Sequence, residues 1–397
     1  MTPGPRALVA ALSAANFAVG MGAFVVIGLI SPIADDLGTT TAAAGSLLTV
    51  YSIAYAIGSP LGVALTGRLD RRTVLAAALA LFAAGTLLSA ASPTLGWLNA
   101  SRALVALGAG CVTPVAASIA LAAGPPGGEG RALARVFFGL TLAQVLGVPA
   151  GSWLGYTLGW QSAFAVVALL SAASAAAAWR LVPAGLAVPV NTLATLGAAL
   201  ADWRSMVSVL FTATYIGAIY VLYTYLAPLL EGTQGFGRDG VTLVLLVFGV
   251  GAIAGNLVGG ALADRIGASR TLALACLAQV LTLPAYSLLP LSVPLLLALT
   301  LLWSTCGWSF MVGQQTRVVA QTPERQGVVL ALNAAAIYVG AAAGSAAGAL
   351  VIARAGVDAL GIAAGAGALL ALGHLALGDR LAAGRAPVRT VAAAGPA

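Results

Sequence analysis

The sequence predicts an all-α integral membrane protein, with twelve transmembrane helices in two pseudo-symmetric six-helix bundles. Three observations carry that expectation. The 397 residues are 60% hydrophobic and only 7% charged, where a soluble domain carries about 25% charged residues. With a mean hydropathy of +1.02, the surface must face lipid. The apolar residues also come in continuous runs long enough to cross a bilayer as a helix, about 20 residues, rather than the alternating runs of roughly ten that a membrane barrel needs. Finally, a short charged loop occurs twice, half a chain apart: Leu65-Thr66-Gly67-Arg68-Leu69-Asp70-Arg71-Arg72, and Gly259-Gly260-Ala261-Leu262-Ala263-Asp264-Arg265-Ile266-Gly267 closed by Arg270. Such a repeat in an almost uncharged chain points to a duplicated bundle.

Taken in order, the chain starts with Met1 to Arg6 and then an apolar run from Ala7 to about Ile30. A cleaved signal has a shorter apolar core of roughly 7–15 residues, so this run reads as a retained first span. Charged or Pro/Gly-rich breaks delimit spans near 7–30, 43–66, 73–92, 97–123, 133–158 and 162–182, then near 204–229, 241–262, 271–289, 294–320, 328–353 and 358–377. Residues 1–182 thus form an N-terminal bundle and 204–377 a C-terminal one. The connector between them, 183–203, contains Pro183, Gly185, Pro189 and Asn191 and reads as an interfacial helix or linker. The segment 378–397, rich in Ala, Gly, Pro and Arg, is expected to be a disordered cytoplasmic tail.

All eighteen basic residues are arginine, and the net charge is +7. In a soluble protein that charge would suggest nucleic acid. Here the arginines sit in loops between apolar spans, so no nucleic-acid partner is expected and the charge reports topology. With the N-terminus inside, fifteen arginines fall on the cytoplasmic side, Arg238 and Arg354 fall outside, and Arg102 lies within a span. The expectation is a multi-pass protein of the cell (inner or plasma) membrane, monomeric in lipid, with both termini cytoplasmic. Cys111, Cys276 and Cys306 fall in apolar stretches without metal-ligand spacing and read as packing residues. His374, the single histidine, reads as interfacial packing. No nucleophile–base pair, metal cluster or phosphate-cradling loop is present, so neither an enzyme nor a resident cofactor or metal is expected.

Three motifs resemble the major facilitator superfamily, and within it the twelve-span drug and sugar efflux (drug–proton antiporter) branch. The second charged loop, Gly260 to Gly267, follows that family's G-x-L-x-D-R-x-G pattern. The first copy departs from it, with Gly67 where the family has Asp and Asp70 where it has Gly. The fourth span reads Arg102-Ala103-Leu104-Val105-Ala106-Leu107-Gly108-Ala109-Gly110, and the fifth reads Gly139 through Gln144, Gly147, Pro149 and Gly151 to Gly155 and Gly159-Trp160. The resemblance implies the major facilitator fold, alternating access, and a proton as possible coupling ion. It also implies that the loops, with Arg68, Asp70, Arg71, Arg72, Asp264, Arg265 and Arg270, latch the cytoplasmic side when the cavity opens outward, and that the fifth-span motif seals against leak.

The residues themselves support parts of this. A carboxylate at a helix N-terminus gains about 0.3–1 kcal/mol from the helix dipole, enough to bias two nearly equal states. Gly147 and Gly151 share one helix face, on which a neighbour can pack closely, while Pro149 permits a bend. Arg102 costs at least ~2.5–3.5 kcal/mol in the membrane interior; it should bind substrate or take part in coupling, with snorkelling outward as the alternative. Every acid falls in a loop or at a helix end. Ala23 stands where the efflux branch commonly has Glu before Phe24. Asp35 and Asp36, at the outer end of the first span, are therefore the remaining coupling candidates, beside their simpler role as loop and cap residues. A cavity between the halves would be lined by Asn16, Tyr51, Tyr55, Gln144, Tyr215, Tyr220, Phe310, Gln314 and Asn333 with Arg102, whereas Tyr223 and Tyr225 read as an outer aromatic belt. The expected function is export of small amphipathic or sugar-like molecules by alternating access. A gradient-driven facilitator or importer, and a non-transporting receptor or scaffold, are the alternatives.

Overall fold

The computed structural model describes residues 5–123, 129–186, 193–321 and 326–383, and among them there is no β-strand. Twelve spans are long and apolar enough to cross a membrane: α1 Arg6–Gly28, α2 Thr41–Leu65, α3 Arg71–Ala90, α4 Leu95–Ala123, α5 Arg135–Leu158, α6 Trp160–Leu181, α7 Trp203–Gln234, α8 Arg238–Ile266, α9 Ala268–Leu288, α10 Val293–Gln321, α11 Val328–Ala355 and α12 Val357–Leu381. Continuous helix satisfies the backbone groups that lipid cannot. The two faces are called inner and outer after the arginine asymmetry, α1 entering from the inner face.

Local chemistry sets the helix ends. Thr40 accepts the Ala43 amide at 3.1 Å before α2, and Asp70 accepts the Thr73 amide at 3.1 Å before α3. Asp202 accepts that of Ser205 at 3.4 Å before α7. Each cap satisfies a donor that the first helical turn leaves without a partner. Gly159 and Gly267, at φ +84° and +88°, are the single residues that reverse the chain between α5 and α6 and between α8 and α9, a backbone conformation that a side chain disfavours.

The first helix of each half is broken at a similar depth. In α1 the α-helix stops at Phe24, passes through a 3-10 turn over Val25–Gly28, and resumes as the short helix Ile30–Asp36. In α7 it stops at Tyr223 and resumes as Leu226–Gln234. This continuation corrects one expectation. Tyr223 and Tyr225, expected in an outer aromatic belt, are 4% and 0% exposed, because the helix runs on beyond them. Glu231, expected in a loop or at a helix end, lies near the end of that continuation. The last helix likewise runs on to Ala383, so residues 378–383 are helical rather than disordered; the ion pair of Asp379 with Arg317 of α10, 2.9 Å, holds that turn. Residues 384–397 of the expected tail, and 187–192 of the connector with Pro189 and Asn191, lie outside the described residues. Within the connector, Leu193–Leu200 is helical.

The pairings repeat between halves. In the first, α1 packs on α5 and α6, α2 on α4, and α3 on α4 and α6; in the second, α7 packs on α11 and α12, α8 on α10, and α9 on α10 and α12. Across the halves, α2 meets α11 and α5 meets α8. The fourth-span glycines make one half's packing possible. A Cβ at Gly108 would stand 2.8 Å from the Phe82 backbone of α3, and one at Gly110 2.9 Å from Ser59 Cα of α2, whose hydroxyl donates to the Gly110 carbonyl at 2.6 Å. Gly110→Val should push α2 from α4 at a cost of about 1–3 kcal/mol. It should appear as a lowered melting temperature of the purified protein, with Gly373→Ala, where a Cβ meets nothing within 4 Å, as the unaffected control.

Candidate functional site

Arg102 is 0% exposed, which settles its orientation: it points into the first bundle rather than outward to headgroups. Its Nη1 donates to the Gly22 carbonyl at 2.6 Å and its Nη2 to that of Ala23 at 3.3 Å. Both acceptors sit just before the break in α1, where the i+4 pattern of the α-helix gives way to the i+3 pattern of a 3-10 turn. The guanidinium also lies 4.4 Å over the Tyr51 ring and 5.9 Å from that of Phe164. Among the described residues no carboxylate pairs with it. The position where the family resemblance expects Glu is Ala23, whose backbone oxygen rather than side chain meets the arginine. Arg102 Nε and the Tyr51 hydroxyl are buried and have no hydrogen-bond partner.

Tyr51 and Tyr55 extend this cluster to the seam between halves. Tyr55 stacks on Tyr338 of α11 with ring centroids 3.7 Å apart, and Tyr51 lies 6.2 Å from each of them. Sequence reasoning missed Tyr338. The available signal was the single aromatic side chain in a span built mostly of Ala, Gly and aliphatic residues.

The second half holds a separate group. Tyr215 stacks on Phe310 at 4.5 Å and donates to the Gly307 carbonyl at 3.0 Å. Gln314 donates to the Ser208 carbonyl at 2.7 Å and to Asn333 Oδ1 at 3.2 Å, which also accepts from Thr212 at 2.6 Å. These four expected lining residues are at most 2% exposed and knit α7, α10 and α11 together. The remaining three stand apart. Asn16 donates to the carbonyl of Leu12 in its own helix. Tyr220 meets Tyr223 edge-on at 5.6 Å. Gln144 sits in a π turn of α5 over Ala143–Gly147, with its carbonyl beside Gly249 of α8. His374 packs within the second half, donating to Val207 O at 2.9 Å. The three cysteines are free thiols, as expected.

The fifth-span glycines face α1, a helix of their own half: Gly147 lies against Met21, Gly151 against Val25, and Gly155 against Leu29. A stripe at every fourth residue drifts around a 3.6-residue helix, and the wider π turn takes back part of that drift. Pro149 follows as the α-helix restarts at Val148, where a missing N–H leaves little unpaired. The contact with the other half comes from a different face of α5, through Gln144 and Val145.

The two charged loops differ. In the first, Asp70 accepts the Gly185 amide of the connector at 2.8 Å and the Thr73 amide and hydroxyl. Arg71 is buried and donates to the Gly67 carbonyl at 2.5 Å, Arg72 lies 4.2 Å over the Trp179 ring of α6, and Arg68 is exposed. In the second, Asp264, Arg265 and Arg270 are exposed, and among the described residues no ion pair engages them. Asp35 and Asp36 are exposed at the outer face, where Asp36 accepts from Trp160 Nε1 at 2.8 Å and Gln161 at 3.1 Å. Among the described residues, contacts join the halves at mid-depth and toward the outer face, and on the inner side the connector helix Leu193–Leu200 packs against α2 of the first half and α7 and α11 of the second. Besides the Tyr55–Tyr338 stack, Ser345 donates to the Gly45 carbonyl at 2.9 Å, beneath the Tyr225 hydroxyl, and Tyr156 donates to Glu231.

Two six-helix halves that meet along two seams, with a buried arginine and tyrosines at one of them, have the architecture of a membrane transporter. The chain belongs to the major facilitator superfamily, whose family model matches residues 12–345. It is 33% identical to the MFS-type transporter YbcL of Bacillus subtilis over 86% of this chain and 87% of that one. It is 35% identical to a chloramphenicol resistance protein of Streptomyces lividans over 84% and 86%. It is also 32% identical to the inner membrane transport protein YdhP of Escherichia coli over 86% and 88%. The fold is similar to that of a bacterial homologue of the lysosomal transporter Spinster in an inward-facing, unoccupied conformation: TM-score 0.72, 16% identity, 96% and 97% of the chains. It is likewise similar to that of the human organic anion transporter MFSD10, with TM-score 0.67, 20% identity, and 94% and 100% covered. The protein is a multi-pass membrane transporter, not an enzyme.

The Gly185 amide, with the Thr73 groups, holds the Asp70 carboxyl below the usual carboxylate range. A carboxyl so depressed in the folded state stabilises it above the unfolded value of about 3.9, and the contribution is lost as pH falls through the folded one. Asp70→Ala should remove a cap worth about 0.5–2 kcal/mol at neutral pH. Melting curves of mutant and parent should converge as the medium is acidified below about pH 4.

Proposed function

We propose that this transporter exports small amphipathic molecules, with Arg102 reading an anionic or strongly accepting group of the cargo and Tyr51, Tyr55 and Tyr338 its apolar or aromatic body. One observation carries the reading: a fully buried guanidinium beside the seam between halves, held by two backbone carbonyls and the Tyr51 ring face without a described counter-ion, with an N–H still unpaired. A buried charge without a counter-ion is costly, and an anionic or acceptor group on the cargo would relieve that cost. The same absence of buried acids disfavours strongly cationic cargo. The second charged loop, exposed on the inner face and without an ion pair among the described residues, supports reading this state as one with the inner latch released, the loop being the latch that engages when the cavity opens outward. The chloramphenicol resistance relative supports the export direction.

A gradient-driven facilitator of the same fold is the second reading, because among the described residues every acid lies at or near a helix end and none at mid-depth of a span. Proteoliposome transport of chloramphenicol and of a small aromatic carboxylate, with and without an imposed pH gradient, decides between them: concentrative flux means proton coupling, and equilibration means a facilitator. Arg102→Ala should reduce counterflow about 10–100-fold, the value of a charge-assisted hydrogen bond of about 1.5–3 kcal/mol. Tyr338→Ala, which leaves Arg102 and the α1 break untouched, should weaken the aromatic probes more than aliphatic ones. Unchanged exchange in both variants would remove the cluster from cargo recognition.

A further inference from the structure

The first charged loop leaves one arginine without a polar partner. Arg71 is engaged by the backbone, donating to the carbonyls of Gly67 and Thr66. Asp70 has both carboxylate oxygens occupied, by the Gly185 amide and by the Thr73 amide and hydroxyl. Arg72 is near enough to Asp70 to favour its ionised form. Yet among the described residues no hydrogen bond or ion pair engages the Arg72 guanidinium, and its Nε is buried without a partner. What holds the group is the ring face of Trp179, 4.2 Å away, a cation–π contact that fixes the guanidinium plane and leaves its N–H donors uncommitted.

The depth of this pair gives it a use. Arg72 is in the first turn of α3 and Trp179 in the last turn of α6, so both stand at the inner ends of two packed spans. Trp179 is 50% exposed, at the level where an indole sits between headgroups and acyl chains. Arg180 follows it, and Arg68 lies earlier in the loop; both are exposed and without a described ion pair. The second half ends its corresponding span differently. Where α6 closes on Trp179-Arg180-Leu181, α12 has Asp379-Arg380-Leu381, and Asp379 pairs with Arg317 at 2.9 Å. A carboxylate there repels an anion, whereas the indole in the first half leaves the arginine free to take one.

We propose that Arg72 and Trp179, supported by the charges of Arg68 and Arg180, form a docking site for the phosphodiester of an anionic inner-leaflet phospholipid. The guanidinium donates to the phosphate oxygens, and the indole packs against the glycerol and upper acyl chain. A lipid fits better than a dissolved anion because the donors stand beside a half-exposed indole at the lipid-facing ends of two spans. The helices α3 and α6 lie outside the two seams, which are formed by α2 with α11 and α5 with α8. The site is therefore independent of the cargo reading and of the inner latch.

Native mass spectrometry of the full-length protein tests it, with dioctanoyl-phosphatidylglycerol and dioctanoyl-phosphatidylcholine titrated separately. The anionic lipid should bind about five-fold or more tightly than the zwitterionic one. Arg72→Ala should weaken the anionic lipid about five-fold, the value of about 1 kcal/mol for one arginine at an anionic surface, and leave the zwitterionic lipid unchanged. Trp179→Ala should weaken the anionic lipid as well, although it removes no charge. Arg354→Ala, which removes an exposed arginine near the other face, should change neither. Equal affinities for the two lipids overturn the proposal, as does an Arg72→Ala protein that keeps its preference. A loss in Arg354→Ala as large as that in Arg72→Ala would reduce the effect to net charge and also overturn it. Displacement of the lipid by inorganic phosphate in large excess would make the occupant a dissolved anion and overturn the lipid assignment. Arg72→Gln reads the same loss if the alanine variant does not fold.

Discussion

A charge buried in the membrane interior must be satisfied from within the protein, and in this chain the break in α1 does it. The carbonyls of Gly22 and Ala23 stand where the α-helix tightens into a 3-10 turn, and Arg102 of α4 takes both. The arginine thus steadies the broken helix, and the broken helix makes the arginine tolerable. Tyr51 lies beneath the guanidinium and continues through Tyr55 to Tyr338 of the other half. One buried charge therefore links the break in α1 to the seam between the halves.

Packing within each half and packing between halves use different chemistry. Inside the first bundle, glycines bring backbones into contact: Gly108 on α3, Gly110 on α2, and Gly147, Gly151 and Gly155 on α1. Such close surfaces forfeit many dispersion contacts if they separate. The hydrogen bonds described between halves, Ser345 to Gly45 and Tyr156 to Glu231, are each worth about 0.5–1.5 kcal/mol net, or about 1.5–3 where charged. Rigid halves and a lightly bonded seam are the combination in which two arrangements can lie within a few kcal/mol of each other.

The charged loops show how a motif and its use can diverge. The second loop follows the family pattern closely, yet Asp264, Arg265 and Arg270 stand exposed and unpaired in this state. The first loop departs from the pattern, and its displaced Asp70 caps α3 and holds the connector at Gly185. Asp70 can do so because the end of α6 brings the connector back to the inner face beside α3. That proximity is a property of the packed bundle rather than of the motif.

The sequence by itself determined the class, the twelve spans and the duplicated halves. These follow from how many apolar residues a bilayer requires and from where charge is tolerated, both of which are local and additive along the chain. Arg102 was legible for the same reason, as the arginine that the sequence left within a span when the others were assigned to one face or the other. Its partners were not, because they are backbone carbonyls exposed by a helix break that no residue type announces. Tyr338 was missed on similar grounds, as one aromatic in a largely apolar span. Which side chains meet across a seam is decided by the crossing of helices far apart in sequence. Only the tertiary structure could therefore separate Tyr51, Tyr55 and Tyr338 at the seam from Tyr215, Phe310, Gln314 and Asn333, which serve the interior of the second half.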